Sequence, residues 1–124
     1  MLLSKEDSSV NLVSAWRSGA VRVGEEWVEN NLIISAQTII RDWAVDTPAA
    51  LQLSDLEPAI SMQPEIVLLG TGAQLILPAE NLMQLLGARG IGVEIMDTPA
   101  ACRTYNVLAH ERREVIAALF VPRD

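Results

Sequence analysis

The second half of the chain alternates between apolar runs and helix-like segments, and this alternation constrains the fold more than any other feature. Strands are predicted where apolar and β-branched residues run together, and helices where leucine or alanine recurs at helical spacing. The predicted order is strand 65–69, helix 79–89, strand 92–96, helix 98–109 and strand 115–120. Three strands joined by two helices within about 55 residues require two right-handed crossovers or a mixed sheet. The segment therefore predicts an α/β fold.

The first half predicts strands without intervening helices. β-Branched and aromatic residues recur between positions 10 and 45, and glycines and asparagines fall between them where turns belong. A short helical turn is predicted at 54–57, because Ser54 and Glu57 have the spacing of a capping box. We expect the antiparallel strands to pack against the sheet or extend it, so that residues 10–124 form a single α/β domain. Residues 1–9 are expected to be a mobile segment.

Composition places the chain among compact domains. Half of the 124 residues are hydrophobic and 20% are charged, whereas disordered chains are polar and highly charged. The longest charge-free run, 66–79, is broken by two glycines and a proline. It is also shorter than the about 20 apolar residues that a spanning helix needs. We therefore expect no membrane span, and a cytoplasmic location because no secretory signal is recognised at the start.

Charge and metal-ligating residues exclude several partners. The formal net charge of −7 opposes nucleic-acid binding, which depends on a basic surface. Residues 100–124 nevertheless hold four arginines and three acids, and Arg103, Arg112 and Arg113 leave a local anion site open. With one cysteine and one histidine, the chain forms no internal disulfide and no four-ligand Cys/His zinc site. We expect no metal, no cofactor and no nucleic-acid partner.

Two glycines follow the first strand of the alternating half. Gly70, Thr71 and Gly72 come at the carboxyl end of a predicted parallel strand, where open α/β sheets bind ligands. The dinucleotide interpretation is weak because the third glycine of that motif is replaced by Leu75 and the next helix begins late. The alternatives are a ligand-binding turn and a purely structural turn.

The helix after Asp97 is the most informative segment. Thr98 is predicted to cap it, and proline at the next position favours a helix start. Tyr105 is expected on the core face, while Arg103, Asn106 and His110 form a polar stripe on another face. This stripe is either a solvated surface or a recognition face for an anionic group, because arginine binds carboxylates with two hydrogen bonds.

Cys102 and the tryptophans are open to two interpretations each. A lone cysteine in the first turns of a helix is either a small buried hydrophobe or an activated thiol, and the first is the commoner case. The three tryptophans, Trp16, Trp27 and Trp43, all fall in the β-rich half. Each is expected in the core, although one of them could instead anchor an interface.

Four segments, taken together, resemble one known family: PEIVLLGTG at 64–72, GIGVEIMDT at 90–98, RTYNVL at 103–108 and ERR at 111–113. It is the small, mostly uncharacterised α/β family that includes mitochondrial NADH:ubiquinone oxidoreductase (complex I) assembly factor three and an animal adipogenesis-associated domain protein. The resemblance implies a single three-layer domain in which helices flank a central mixed sheet and extra antiparallel strands precede it. It implies no established enzyme activity.

The resemblance also assigns shared polar positions to this chain. They are Thr71, Thr98, Arg103, Tyr105, Asn106 and Glu111. Arg112 stands where many relatives have glycine. The absence of a recognisable mitochondrial transit peptide makes the chain look like a prokaryotic member of the family.

Two hypotheses about function follow. The first is a non-enzymatic protein-binding or assembly-factor-like module with an unknown protein partner, working as a monomer or homodimer. The second is a site for a small anionic ligand between the Gly70–Thr71–Gly72 turn and the Thr98 helix. That site could be catalytic through Arg103, Tyr105 or Cys102.

Overall fold

The computed structural model describes residues 10–123 and contains a central five-stranded sheet and a separate three-stranded sheet. The strands are β1 (Val13–Arg17), β2 (Ala20–Val23), β3 (Glu26–Val28), β4 (Leu32–Ser35), β5 (Ile39–Ile40), β6 (Ile66–Thr71), β7 (Gly92–Met96) and β8 (Val115–Phe120). The helices are α1 (Glu57–Ile60), α2 (Leu82–Gly87) and α3 (Thr98–His110), with 3-10 turns at Pro48–Ala50 and Leu53–Leu56. The predicted mobile segment 1–9 lies outside the described residues.

The central sheet has the strand order β5-β4-β8-β6-β7 and is mixed. Strands β8, β6 and β7 are parallel, while β4 and β5 run antiparallel to their neighbours. The chain passes from β6 through α2 to β7, which lies beside β6. It then returns through α3 to β8, the strand on the other side of β6. Right-handed crossovers in opposite directions place α2 and α3 on opposite faces of the sheet.

Strand β8 shows how the sequence builds two cores. All six of its residues are buried, as expected for an apolar strand that is covered on both faces. Leu119 belongs to the core beneath α3, which also contains Tyr105 and residues of the small sheet. Phe120 points to the opposite core, where it contacts Trp43 with ring centroids 5.3 Å apart.

The molecule therefore has three layers. Helix α3 and the antiparallel sheet β1-β2-β3 cover one face of the central sheet, and α1, α2 and the 3-10 turns cover the other. The predicted α/β class is confirmed, including the central mixed sheet, the flanking helices and the additional N-terminal antiparallel strands.

Helix α2 is shorter than the predicted helix 79–89 because both ends of that segment make other contacts. The Ala79 amide donates to the carbonyl of Ala49 at 3.0 Å, which holds it in the preceding loop. The helix begins only after Asn81, whose side chain accepts from the Gln84 amide. Beyond the helix, Gly90 adopts a φ of +77°.

Two predicted caps are displaced. The helical turn near residue 54 begins at Gln52, whose amide donates to Asp55 Oδ2 at 2.9 Å, so its capping box starts two residues earlier than predicted. Helix α3 is capped by Asp97 rather than Thr98, since Asp97 Oδ1 accepts from the Ala100 amide at 2.8 Å. The Thr98 hydroxyl is consequently free for a different role.

Candidate functional site

Thr98 joins the carboxyl ends of two parallel strands to the start of α3. Its buried hydroxyl donates to the Phe120 carbonyl at 2.6 Å and accepts from the Gly72 amide at 2.8 Å. The Thr98 amide in turn donates to the Gly72 carbonyl at 2.8 Å. The turn and the helix, between which the sequence predicted a ligand, are therefore in direct hydrogen-bond contact.

Gly70 lets α3 approach β6 closely. A Cβ at this position would lie 2.9 Å from both Leu119 Cδ2 and Thr98 Oγ1, and 3.1 Å from the Cβ of Ala101. These distances are shorter than van der Waals contact, so any side chain here would push the helix away from the sheet. Gly72, two residues later, has a φ of +99°, a backbone conformation that favours glycine.

Thr71 organises the loop that follows β6. Its buried hydroxyl donates to the Gln74 carbonyl at 2.6 Å and accepts from the Ile76 amide at 3.0 Å. Each residue of the Gly-Thr-Gly motif thus has a contact or a backbone conformation that shapes the end of β6.

A cavity of about 390 Å³ opens beside this loop, next to the ends of β6 and β8. Its walls come from the loop after β6, the end of β8 and the segment 46–48. Phe120 and Ile76 supply apolar surface, while Asp46, Arg123 and the Asn31 amide supply polar groups. Asn31 Oδ1 also accepts from the Val121 amide at 2.9 Å. The cavity is lined by Thr71 and Gly72, but Thr98 and Arg103 are not among its lining residues.

Asn106 and Tyr105 fasten the small sheet to α3. Asn106 Oδ1 accepts from the Val13 amide at 2.9 Å, and its Nδ2 donates to the Val13 carbonyl at 2.8 Å. The Tyr105 hydroxyl donates to the Asn11 carbonyl at 2.7 Å, and burial raises the pKa of that hydroxyl. The polar stripe expected on α3 is therefore divided: Asn106 faces β1, whereas Arg103 and His110 are exposed.

We expect Asn106→Ala to release β1 from α3. The substitution leaves the amide and carbonyl of Val13 without their partner, which costs about 1–3 kcal/mol of unfolding free energy. Hydrogen exchange of the Val13 amide should be faster than in the wild type, whereas exchange of amides in β6 should change less. Unchanged protection of the Val13 amide would contradict the role of Asn106 in holding β1 against α3.

Arg103 differs from the arginines around it. Four other arginines form ion pairs with glutamates: Arg17 with Glu29, Arg41 with Glu26, Arg89 with Glu57, and Arg113 with Glu65. Within residues 10–123, no carboxylate pairs with Arg103. Its guanidinium carbon instead lies 6.0 Å from the ring centroid of Trp16, and 39% of Trp16 is exposed.

The remaining residues with a predicted role lie near the end of α3. Glu111 is exposed and follows the helix directly, where its amide donates to the Val107 carbonyl. Arg112 has a φ of +64°, which explains in physical terms why glycine suits this position. Arg113 forms a two-point contact with Glu65 and thereby lowers the pKa of that carboxyl.

Cys102 is fully buried in the core beneath α3. Burial raises the pKa of its thiol to about 12, although the adjacent Arg103 acts in the opposite direction. Because the thiolate is the reactive form, we expect 5,5′-dithiobis(2-nitrobenzoic acid) to leave the folded protein unlabelled at pH 8. The same protein in guanidinium chloride should react with one equivalent. Rapid labelling without denaturant would instead identify an accessible thiol.

Sequence reasoning missed two features of this region. The contact between Trp16 and Arg103 joins residues from opposite halves of the chain, and periodicity carries no signal for such a pair. The cavity residues Asn31 and Arg123 also come from distant segments.

The described part of the chain contains no group of three His, Cys, Asp or Glu side chains arranged to hold a metal ion. None of its helices is long and apolar enough to cross a membrane.

Comparison with known proteins agrees with the three-layer α/β architecture. A crystal structure of a Bordetella parapertussis protein superposes with a TM-score of 0.83 at 35% identity, covering 91% of this chain and 97% of that one. The family described as "protein of unknown function (DUF498/DUF598)" matches residues 13–120. The chain belongs to this family.

Curated relatives of the chain include assembly factors. The chain is 28% identical to NADH dehydrogenase (ubiquinone) 1 alpha subcomplex assembly factor 3 of Danio rerio, over 98% of this chain and 70% of that protein. It is 31% identical to the Rattus norvegicus protein of the same name, over 98% of this chain and 66% of that protein. The family resemblance seen in the sequence is thus confirmed.

Proposed function

We propose that this chain is a non-enzymatic protein-binding module of the assembly-factor type, acting in the cytoplasm. The observation that carries the proposal is a division of its polar side chains into those that bond to the chain's own backbone and one that does not. Thr71, Thr98, Tyr105 and Asn106 all bond to the chain's own backbone, whereas Arg103 remains exposed without a carboxylate partner among residues 10–123.

This division favours binding over chemistry. A catalytic acid or base must lie within hydrogen-bond reach of the substrate. The buried hydroxyls of Thr98 and Tyr105 instead hold strand ends and the small sheet in place. A rigid scaffold that presents an exposed arginine is suited to contact with another protein, because arginine is enriched at interface hot spots.

The relatives support the same proposal. Two of the proteins similar to this chain are named as assembly factors, and the similarity extends over 98% of the chain. Carried to this chain, the name suggests a partner protein that the module holds during assembly. The acidic net charge of −7 disfavours nucleic acid as that partner. The oligomeric state under this proposal is a monomer or a homodimer.

Affinity capture from the native host tests the proposal. Tagged wild-type protein, Arg103→Ala and Arg17→Ala are used as bait, and the recovered proteins are quantified by mass spectrometry. Arg17 is the matched control because it also lies over a tryptophan but is already paired with Glu29. We expect one defined partner that Arg103→Ala loses and Arg17→Ala retains, with similar melting temperatures for all three baits. Recovery of no specific protein by the wild type would contradict the proposal.

The cavity beside the loop after β6 favours a second candidate function, the binding of a small anion. Its volume of about 390 Å³ falls within the usual range for ligand pockets. Arg123 and Asn31 are the lining residues that carry donors for a carboxylate or phosphate, while Asp46 also lines the cavity and its negative charge opposes an anion. A thermal-shift screen of small carboxylates and phosphates tests this candidate. A rise in melting temperature that Arg123→Ala abolishes would support it, and a screen without any rise would contradict it.

A further inference from the structure

Two arginine–tryptophan pairs, which involve the neighbouring β1 residues Arg17 and Trp16, differ in one respect. Arg17 lies over Trp27 at 4.1 Å from the ring centroid, and Glu29 neutralises it at 3.9 Å. Arg103 lies near Trp16 at 6.0 Å, and no carboxylate within residues 10–123 pairs with it. The first pair is complete within the chain, while the second presents a cation that lacks its counter-ion.

The surface around Arg103 combines this cation with apolar groups. Val107 follows one turn later on α3, on the same helix face, and 56% of it is exposed. Trp16 adds a partly exposed ring, whose centroid lies 6.0 Å from the guanidinium carbon. A carboxylate beside an apolar side chain would match this surface, because the guanidinium accommodates the carboxylate and the ring and Val107 accommodate the apolar group.

The surface is also held rigidly. Trp16 lies on β1 and Arg103 on α3, and the two elements are joined by both hydrogen bonds between Asn106 and Val13. The surface therefore exists before a partner arrives, which lowers the entropic cost of binding.

Charge favours an acidic occupant at α3. Helix α3 contains no acidic residue between Thr98 and His110, although the chain as a whole carries a net charge of −7. The net charge of the molecule therefore opposes an acidic segment while Arg103 attracts it, although Asp97 and Glu111 flank the helix.

We infer that Trp16, Arg103 and Val107 form the docking surface for an acidic segment of a partner protein, a segment that carries at least one apolar side chain among its carboxylates. The inference rests on the proposed protein-binding function and adds the location and the chemistry of the partner.

Site-specific photocross-linking in the native host tests this surface. The photoreactive residue p-benzoylphenylalanine replaces Val107 in one variant and Leu77 in the other. Leu77 is the matched control, because 65% of it is exposed and it lies on the loop leading to α2, outside the surface formed by Trp16, Arg103 and Val107. The cross-linked peptide of the partner is then sequenced by mass spectrometry.

The expected result is a cross-link from position 107, to a segment rich in aspartate and glutamate. Adding Arg103→Ala to that variant should lower the yield at least fivefold, whereas adding Arg17→Ala should leave it within twofold. Melting temperatures of the variants confirm that the fold is retained. A synthetic peptide with the cross-linked sequence should show the same order of affinities by fluorescence anisotropy, and binding should weaken as salt is raised.

Other outcomes overturn the inference. A cross-link from position 77 alone would place the partner on a different surface, while leaving the protein-binding function intact. A cross-link from position 107 that is insensitive to Arg103→Ala, or that lies in a basic segment, would refute the acidic partner. No cross-link from position 107 would refute the docking surface, and no partner in affinity capture in addition would refute the protein-binding function as well.

Discussion

Gly70→Ala is expected to lower the free energy of unfolding by about 2–3 kcal/mol, at the upper end of the usual cost of overpacking a core. The added methyl group would meet Thr98 Oγ1 at 2.9 Å and the Cβ of Ala101 at 3.1 Å. Leu119 can move its side chain, but Thr98 is fixed by two hydrogen bonds and Ala101 by the helix backbone. Helix α3 must therefore shift away from β6. Urea denaturation, monitored by circular dichroism, measures the effect.

Gly87→Ala is the matched control for this prediction. A Cβ on Gly87 meets no atom within 4 Å, and the residue ends α2. Alanine is the better helix former by about 0.5–1 kcal/mol, so this substitution should be neutral or stabilising. If both substitutions had the same small effect, the close packing of α3 on β6 would not be what requires glycine at position 70.

Thr98→Val is expected to lower the free energy of unfolding by about 2–4 kcal/mol, because it removes a hydroxyl without changing the shape of the side chain. The Gly72 amide and the Phe120 carbonyl would both lose their partner in a buried site. Each buried polar group left without a hydrogen bond costs about 1–3 kcal/mol. Denaturation in urea again provides the measurement, and the slope with denaturant concentration should remain that of the wild type.

Thr98→Ser distinguishes the hydroxyl from the methyl group. Serine retains both hydrogen bonds and loses one buried methyl, so it should cost only about 1 kcal/mol. Valine retains the methyl and loses the bonds. If serine were the more damaging substitution, packing rather than hydrogen bonding would be the main role of Thr98.

Much of the central sheet is predictable from local patterns. The apolar runs before Gly70 and after Glu114 correspond to β6 and β8, because strands covered on both faces contain few polar residues. Proline in the first turn also identifies the start of α3 correctly. These signals are local, and each depends on a few neighbouring residues.

The side-chain clamps are not predictable in this way. Asn106 contacts Val13, 93 positions away, and nothing in the helical periodicity distinguishes it from the exposed Arg103. The start of α2 is not predictable for a similar reason. Ala79 has good helix propensity, but its amide donates a hydrogen bond to the Ala49 carbonyl, and this bond keeps the residue outside the helix. Tertiary contacts decide these positions, and the candidate site depends on them.

The position of β8 in the sheet has a consequence for synthesis on the ribosome. This strand lies between β4 and β6, although both of them are translated well before it. Until residue 120 has emerged, each of them exposes an edge of unpaired backbone N–H and C=O groups that can pair with another nascent chain. Both cores also wait for β8, since its residues enter each of them. The sheet is therefore completed only after β8 has been synthesised, and until then chaperones that shield unpaired strands can bind the chain.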